Sequence, residues 1–119
     1  MKKDTLYEEG QLKITYLHSP EPGRENEVIS REDHELWIRD KSGGWSRYIL
    51  QRGILRELAF TAKGHPLDLS SKLTTINNDI WNGVAGGRII LRDIERAFIG
   101  AYQKEEKEFD MYLAEQNKD

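Results

Sequence analysis

The sequence contains no cysteine. That excludes a disulfide framework, a thiolate metal centre and a cysteine nucleophile, and it fits a reducing cytoplasm. No run of eighteen apolar residues occurs, so no helix is expected to span a membrane. The first ten residues, MKKDTLYEEG, carry two lysines without an apolar run behind them and do not read as a secretory signal. Missing as well are a serine, threonine or lysine nucleophile signature, a phosphate loop and a dinucleotide fingerprint. The three histidines, His18, His34 and His65, lack the spacing of a helical metal pair. The run Glu32-Asp33-His34-Glu35 is rich in ligating groups, but neighbours in an extended strand point to opposite faces, so at most two converge. No catalytic residue, metal or cofactor is assigned, and a binding role is expected rather than an enzymatic one.

What is present reads as one domain over residues 1–119, long enough to build a single core without metal or disulfide staples. Its hydrophobic residues are 37% and its charged residues 33%, the balance of a heavily solvated surface. Before residue 50 the apolar period is two. Thr5–Glu9 and 12–18 flank Gly10 as a hairpin, and 34–40 and Trp45–Leu50 flank the turn sequence KSGG as another. Between the hairpins, residues 19–33 hold two prolines, one glycine and seven charges, which predicts a mobile or functional loop. Trp37, Trp45 and Tyr48 are expected to cap one end of the core, with an exposed stacking platform as the alternative.

After Gly53 the period becomes 3.6. The run from Ile54 presents Ile54, Leu55, Leu58, Ala59 and Ala62 on one helical face. A second helix is predicted from Asp68 to Asn82, with Leu69, Leu73, Ile76 and Ile80 as its stripe and Gly83 as its end. A third and long helix is predicted from Arg88 to Gln116. Its inner half carries Leu91, Ile94, Phe98, Ala101 and Tyr102. The collar QKEEKE at 103–108 is expected to be solvated on every side, and Phe109, Tyr112 and Leu113 resume the apolar pattern beyond it. The expected fold is therefore α+β: an N-terminal antiparallel sheet of three or four strands in two hairpins, then three helices, the last one long.

Charge is unevenly spread along a chain of net −3. Residues 37–63 carry six basic side chains against two acidic, while 1–36 and 103–119 are both acidic. Such blocks either meet one another across the folded surface or present a basic face to an anionic partner.

The run Gly83-Val84-Ala85-Gly86-Gly87-Arg88-Ile89 lies between two predicted helices. Over these seven residues it resembles the GxxG turn of KH domains, which clamps nucleic-acid backbone. The resemblance implies Gly83 and Gly86 at the turn and Ile89 at the start of the following helix. The sequence departs from that pattern in having no basic residue at Val84-Ala85 and no strand after the last helix. The plainer reading is a helix–helix connection.

Two kinds of function follow. The first is a binding or adaptor protein acting through protein contacts of the outer C-terminal helix, with Tyr102, Phe109, Tyr112 and Leu113 as the interface and a second copy as the simplest partner. The second is nucleic-acid binding by the basic-aromatic segment 37–63 and the glycine turn, through Arg39, Arg47, Arg52, Arg56 and Arg88. The acidic pI near 5.7 favours the first.

Overall fold

The computed structural model describes residues 5–17, 33–51 and 53–116. Strands come first: β1 (Thr5–Glu9), β2 (Leu12–Tyr16), β3 (His34–Arg39) and β4 (Trp45–Leu50). Helices follow: α1 (Ile54–Gly64), α2 (Pro66–Ile76), α3 (Asn78–Ala85) and α4 (Leu91–Gln116). The strands form one antiparallel sheet in the order β1-β2-β3-β4, so the fold is α+β, as the change of apolar period implies. The connection expected at 19–33 lies outside the described residues except for Asp33, whose carbonyl accepts from the Leu17 N–H at 3.2 Å.

Register follows from strand alternation. Leu12 pairs with Ile38, Ile14 with Leu36, and His34 with Leu50. All six residues lie on one face and all are buried. Lys13, Thr15, Glu35, Trp37, Arg39 and Arg47 project from the other face. At the β1–β2 reversal Gly10 has φ 60, a conformation glycine adopts without strain. At the β3–β4 turn the Asp40 carboxylate accepts from the Ser42 N–H, the Ser42 hydroxyl and the Gly44 N–H at 3.0, 2.6 and 2.9 Å. These bonds, the Ser42 hydroxyl first among them, hold its carboxyl below the ordinary range.

The helices pack on the apolar face. α4 crosses β1 and β2 and lies against α1. Leu55, Leu58, Ala59 and Ala62 of α1 meet Ile94, Ala97, Phe98 and Ala101 of α4 in the same buried cluster as the strand residues. Phe98 is the largest side chain fully enclosed there. At about 25 cal/mol per Å² of apolar surface, it and its neighbours supply most of the stabilisation of the fold.

The helix expected over 68–82 is two helices, so the layer holds four rather than three. Asn77 interrupts it with φ −169 and ψ 120, and its side-chain oxygen accepts from the Asp79 N–H at 2.8 Å. A short amide side chain that bonds the backbone locally competes with helix continuation and caps the next helix instead. The apolar stripe survives this break. Leu69, Leu73 and Ile80 are fully buried, whereas Ile76, beside the interruption, is half-buried.

Gly83 does not end a helix as expected. It lies inside α3, buried, where an added Cβ would sit 2.6 Å from the Ile89 Cδ1. Its missing side chain lets the chain after α3 fold back, and its carbonyl accepts from both Arg88 and Ile89 N–H groups at 2.8 and 3.0 Å.

Candidate functional site

The collar at 103–108 is not solvated on every side as expected, and it departs furthest at one residue. Glu105 is only 2% exposed. Ile94, Phe98, Ala101, Glu105 and Glu108 advance in steps of three or four, so the stripe that covers the core continues through the collar. What receives it is His34, the inward-facing first residue of β3. The imidazole Nε2 and the Glu105 Oε1 share a hydrogen bond of 2.9 Å, with both side chains enclosed. Tyr16 stacks on the His34 ring, centroids 5.9 Å apart and planes 30° inclined, and its hydroxyl donates to Glu108 at 3.1 Å. Lys104 donates to the Thr5 carbonyl at 3.1 Å. Residues 104–108 are thereby tied to β1, β2 and β3. Among the described residues the His34 Nδ1 and one Glu108 oxygen have no hydrogen-bond partner. The signal for this cluster was available: a glutamate four residues beyond buried Ala101 needs an inward polar group to meet it.

Past Glu108 the helix surface opens. Tyr102, Phe109 and Leu113, spaced seven and four apart, share one flank. Tyr102 and Phe109 are half-buried and Leu113 is 41% exposed. The side chain of Tyr112 lies outside the described residues. Tyr102 meets Phe60 of α1 edge to face, centroids 5.5 Å apart, and Phe60 is itself 53% exposed beneath the Arg56 guanidinium. Phe60 was missed in sequence because it falls off the apolar face of α1; a large aromatic at a polar position was the clue. Along α4 from Tyr102 to Ala114 runs a shallow groove of about 540 Å³, with Met111 exposed at its outer end.

The residues of the basic-aromatic segment are distributed rather than gathered. Arg39 and Arg47 stand on the open face of the sheet, Arg56 sits over Phe60 in the helix layer, and Arg88 is exposed after α3. Arg52 lies outside the described residues. Of the three aromatics expected to cap the core, only Tyr48 packs against it. Alternation along β3 and β4 puts Trp37 and Trp45 on the open face, half-buried. Their rings are occupied by cations of the same chain. Lys13 lies 5.1 Å from the Trp37 ring and 4.6 Å from that of Trp45; Arg47 and Arg39 add a second cation to each, both at 5.9 Å. Glu35 completes this face, accepting from Arg47 at 2.6 Å and from Thr15 at 3.2 Å, while the Trp37 indole N–H donates to Thr15 at 2.9 Å. His34 and Glu35 thus take partners on opposite faces, as the strand pleat requires.

The glycine turn also differs from the resemblance in geometry. Gly83 is helical, and Ile89 precedes α4 by two residues. The N–H groups of Gly86, Gly87, Arg88 and Ile89 all bond carbonyls of α3, so they are not presented to a phosphate.

Among the described residues no three His, Asp or Glu side chains are placed to hold a metal ion. No described helix is long and apolar enough to cross a membrane. Comparison with protein-family models, with characterised proteins and with solved structures gives no match to this chain.

Proposed function

We propose that this is a binding protein rather than an enzyme, acting through protein–protein contacts of the outer half of α4, with a second copy of the chain as its partner. The observation that carries the reading is the flank of α4 beyond its anchor. Glu105 and Glu108 fasten the helix to the sheet, and the helix then continues to Gln116 with Leu113 and Met111 exposed. A helix of 26 residues rises about 39 Å. That exceeds the 32 and 23 Å widths of the molecule but fits within its 53 Å long axis. Apolar side chains left exposed on the outer turns favour a partner over water.

A second copy suits this flank. Tyr102, Glu106, Phe109 and Leu113 follow one another at intervals of four, three and four, a spacing that reads alike in both directions. A two-fold axis can therefore set two such helices antiparallel, with Tyr102 of one copy beside Leu113 of the other and Phe60 extending the contact. Lys104 and Lys107 balance Glu106 and Asp110 along the same turns, so like charges do not oppose the pairing. Tyr102, Phe109, Tyr112 and Leu113 are the proposed contact residues, and the cysteine-free composition favours a cytoplasmic setting.

Sedimentation equilibrium tests this. The full chain should self-associate, Leu113→Glu should weaken association without lowering the thermal midpoint, and truncation after Phe109 should leave a folded monomer. A full-length chain that stays monomeric at every concentration overturns the self-association reading.

A further inference from the structure

β4 is the last strand of the sheet, and no described strand pairs with it on its far side. The opposite edge is different: α4 crosses β1, and Lys104 reaches the Thr5 carbonyl. The direction of the β4 backbone follows from its neighbours. The Arg39 N–H donates to the Gln11 carbonyl, toward β2, whereas the Asp40 N–H donates to the Gly44 carbonyl across the β3–β4 turn. Backbone groups of successive strand residues point to opposite sides, so Leu36 and Ile38 exchange ladder bonds with their partners Tyr48 and Ser46. Trp45, Arg47 and Ile49 therefore turn their N–H and C=O groups away from the sheet. Among the described residues no hydrogen bond reaches these groups. The strand has no proline, and its register against β3 is unbroken by a bulge, so two common devices for closing an edge are missing.

The side chains of the same three residues lie on the open face of the sheet. Ile49 is 46% exposed and Trp45 half-buried, with exposed Arg47 between them. A strand added at this edge sets alternate side chains beside these three. Arg47 decides which strand fits. Its Nη1 donates to Glu35 at 2.6 Å, while the rest of the half-exposed guanidinium keeps donors for a second carboxylate. On the two strands nearest the edge this face carries Arg39 and Arg47 against Glu35; Lys13 and Glu8 offset each other farther in. Another β4, related by a two-fold axis at the middle of the strand, would put Arg47 opposite Arg47. Like charges directly opposite disfavour such a pair. The same side chain thus turns away a second copy and admits an acid.

We infer that the β4 edge binds an extended acidic peptide as an added antiparallel strand, its carboxylate beside Arg47 and its apolar side chains beside Trp45 and Ile49. Backbone hydrogen bonds hold the peptide, and Arg47 selects it. This surface is separate from the outer half of α4 and does not depend on copies pairing there.

The test is titration of the isotope-labelled full chain with the blocked peptide TVTETVT, read by amide resonances and amide exchange. The peptide should slow exchange at Trp45, Arg47 and Ile49, whose N–H groups it bonds. TVTKTVT, with lysine at its centre, should bind about tenfold more weakly, equivalent to about 1.4 kcal/mol. Arg47→Gln should remove that preference. Ile49→Pro deletes an outward N–H that β3 does not use, so it should keep the fold and block the peptide. Exchange at these amides that ignores the peptide overturns the assignment, as does equal affinity for the two peptides or binding that survives Ile49→Pro. Exchange that slows with protein concentration alone also overturns it, in favour of a second copy at this edge.

Discussion

His34 of β3 and Glu105 of α4, 71 residues apart in the chain, share a 2.9 Å hydrogen bond with both side chains almost wholly enclosed. This contact sets where the long helix leaves the sheet. Were it absent, residues 103–108 would form the solvated collar that their composition describes. With it, α4 is held against the sheet as far as Glu108. Burying such groups is costly unless each meets its partner, so the two residues are more tightly coupled to each other than to the fold.

Removing one partner should therefore cost more than removing both. His34→Leu, which strands the Glu105 carboxylate in the interior, is expected to lower stability by about 3 kcal/mol. The double substitution His34→Leu with Glu105→Leu should recover most of that loss. Urea denaturation of the four proteins of this cycle measures the coupling; additive effects would show that the pair does not interact.

Along the stripe of α2 and α3, burial ranks the cost of truncation. Leu73 is fully enclosed, and Leu73→Ala should cost about 2–5 kcal/mol through the cavity it leaves. Ile76 stands beside the break at Asn77 and is half-buried, so Ile76→Ala should cost clearly less. Equal shifts of the denaturation midpoint would contradict the split helix.

The break itself rests on one side chain. Asn77→Ala removes the acceptor for the Asp79 N–H and should cost about 1 kcal/mol, while Asn77→Asp, which keeps an acceptor, should be nearly neutral. Thermal melts of the two variants distinguish capping from a general intolerance at this position.

Asp40 gives a pH dependence with a defined sign. Its folded carboxyl lies below the ordinary 3.8 because the turn's hydrogen bonds, led by that of the Ser42 hydroxyl, favour the ionised form. A depressed carboxyl pKa contributes stability that is present above the unfolded value and is lost as pH falls through the folded one. Asp40→Asn should therefore be less stable than the parent near neutral pH. The gap should close on acidification below about 3.8. A gap that stays constant from neutral to acidic pH would mean that the charge of Asp40 does not matter to the turn.

Sequence alone was enough for the features that depend on near neighbours. Alternation in 5–16 and 34–50 marked both hairpins, because successive side chains of a strand must face opposite ways. The 3.6 period after Gly53 marked the helices for the corresponding reason. The one misread helix had a local cause too: Asn77 falls inside the span predicted as a single helix, and its short amide side chain ends one helix and caps the next. Tertiary structure decided everything that needed two distant segments to meet. Glu105 is buried because β3 brings an inward histidine beneath it, and Phe60 joins Tyr102 because α1 packs on α4. Trp37 and Trp45 carry cations instead of capping the core because strand register sets Lys13, Arg39 and Arg47 beside them. Gln11 donates to the Arg88 carbonyl, 77 residues away, because the first hairpin turn lies against the segment after α3. Local dihedral preferences act over a few residues and leave a periodic trace in the sequence, whereas a contact between remote side chains depends on how whole elements pack, and no single segment carries it.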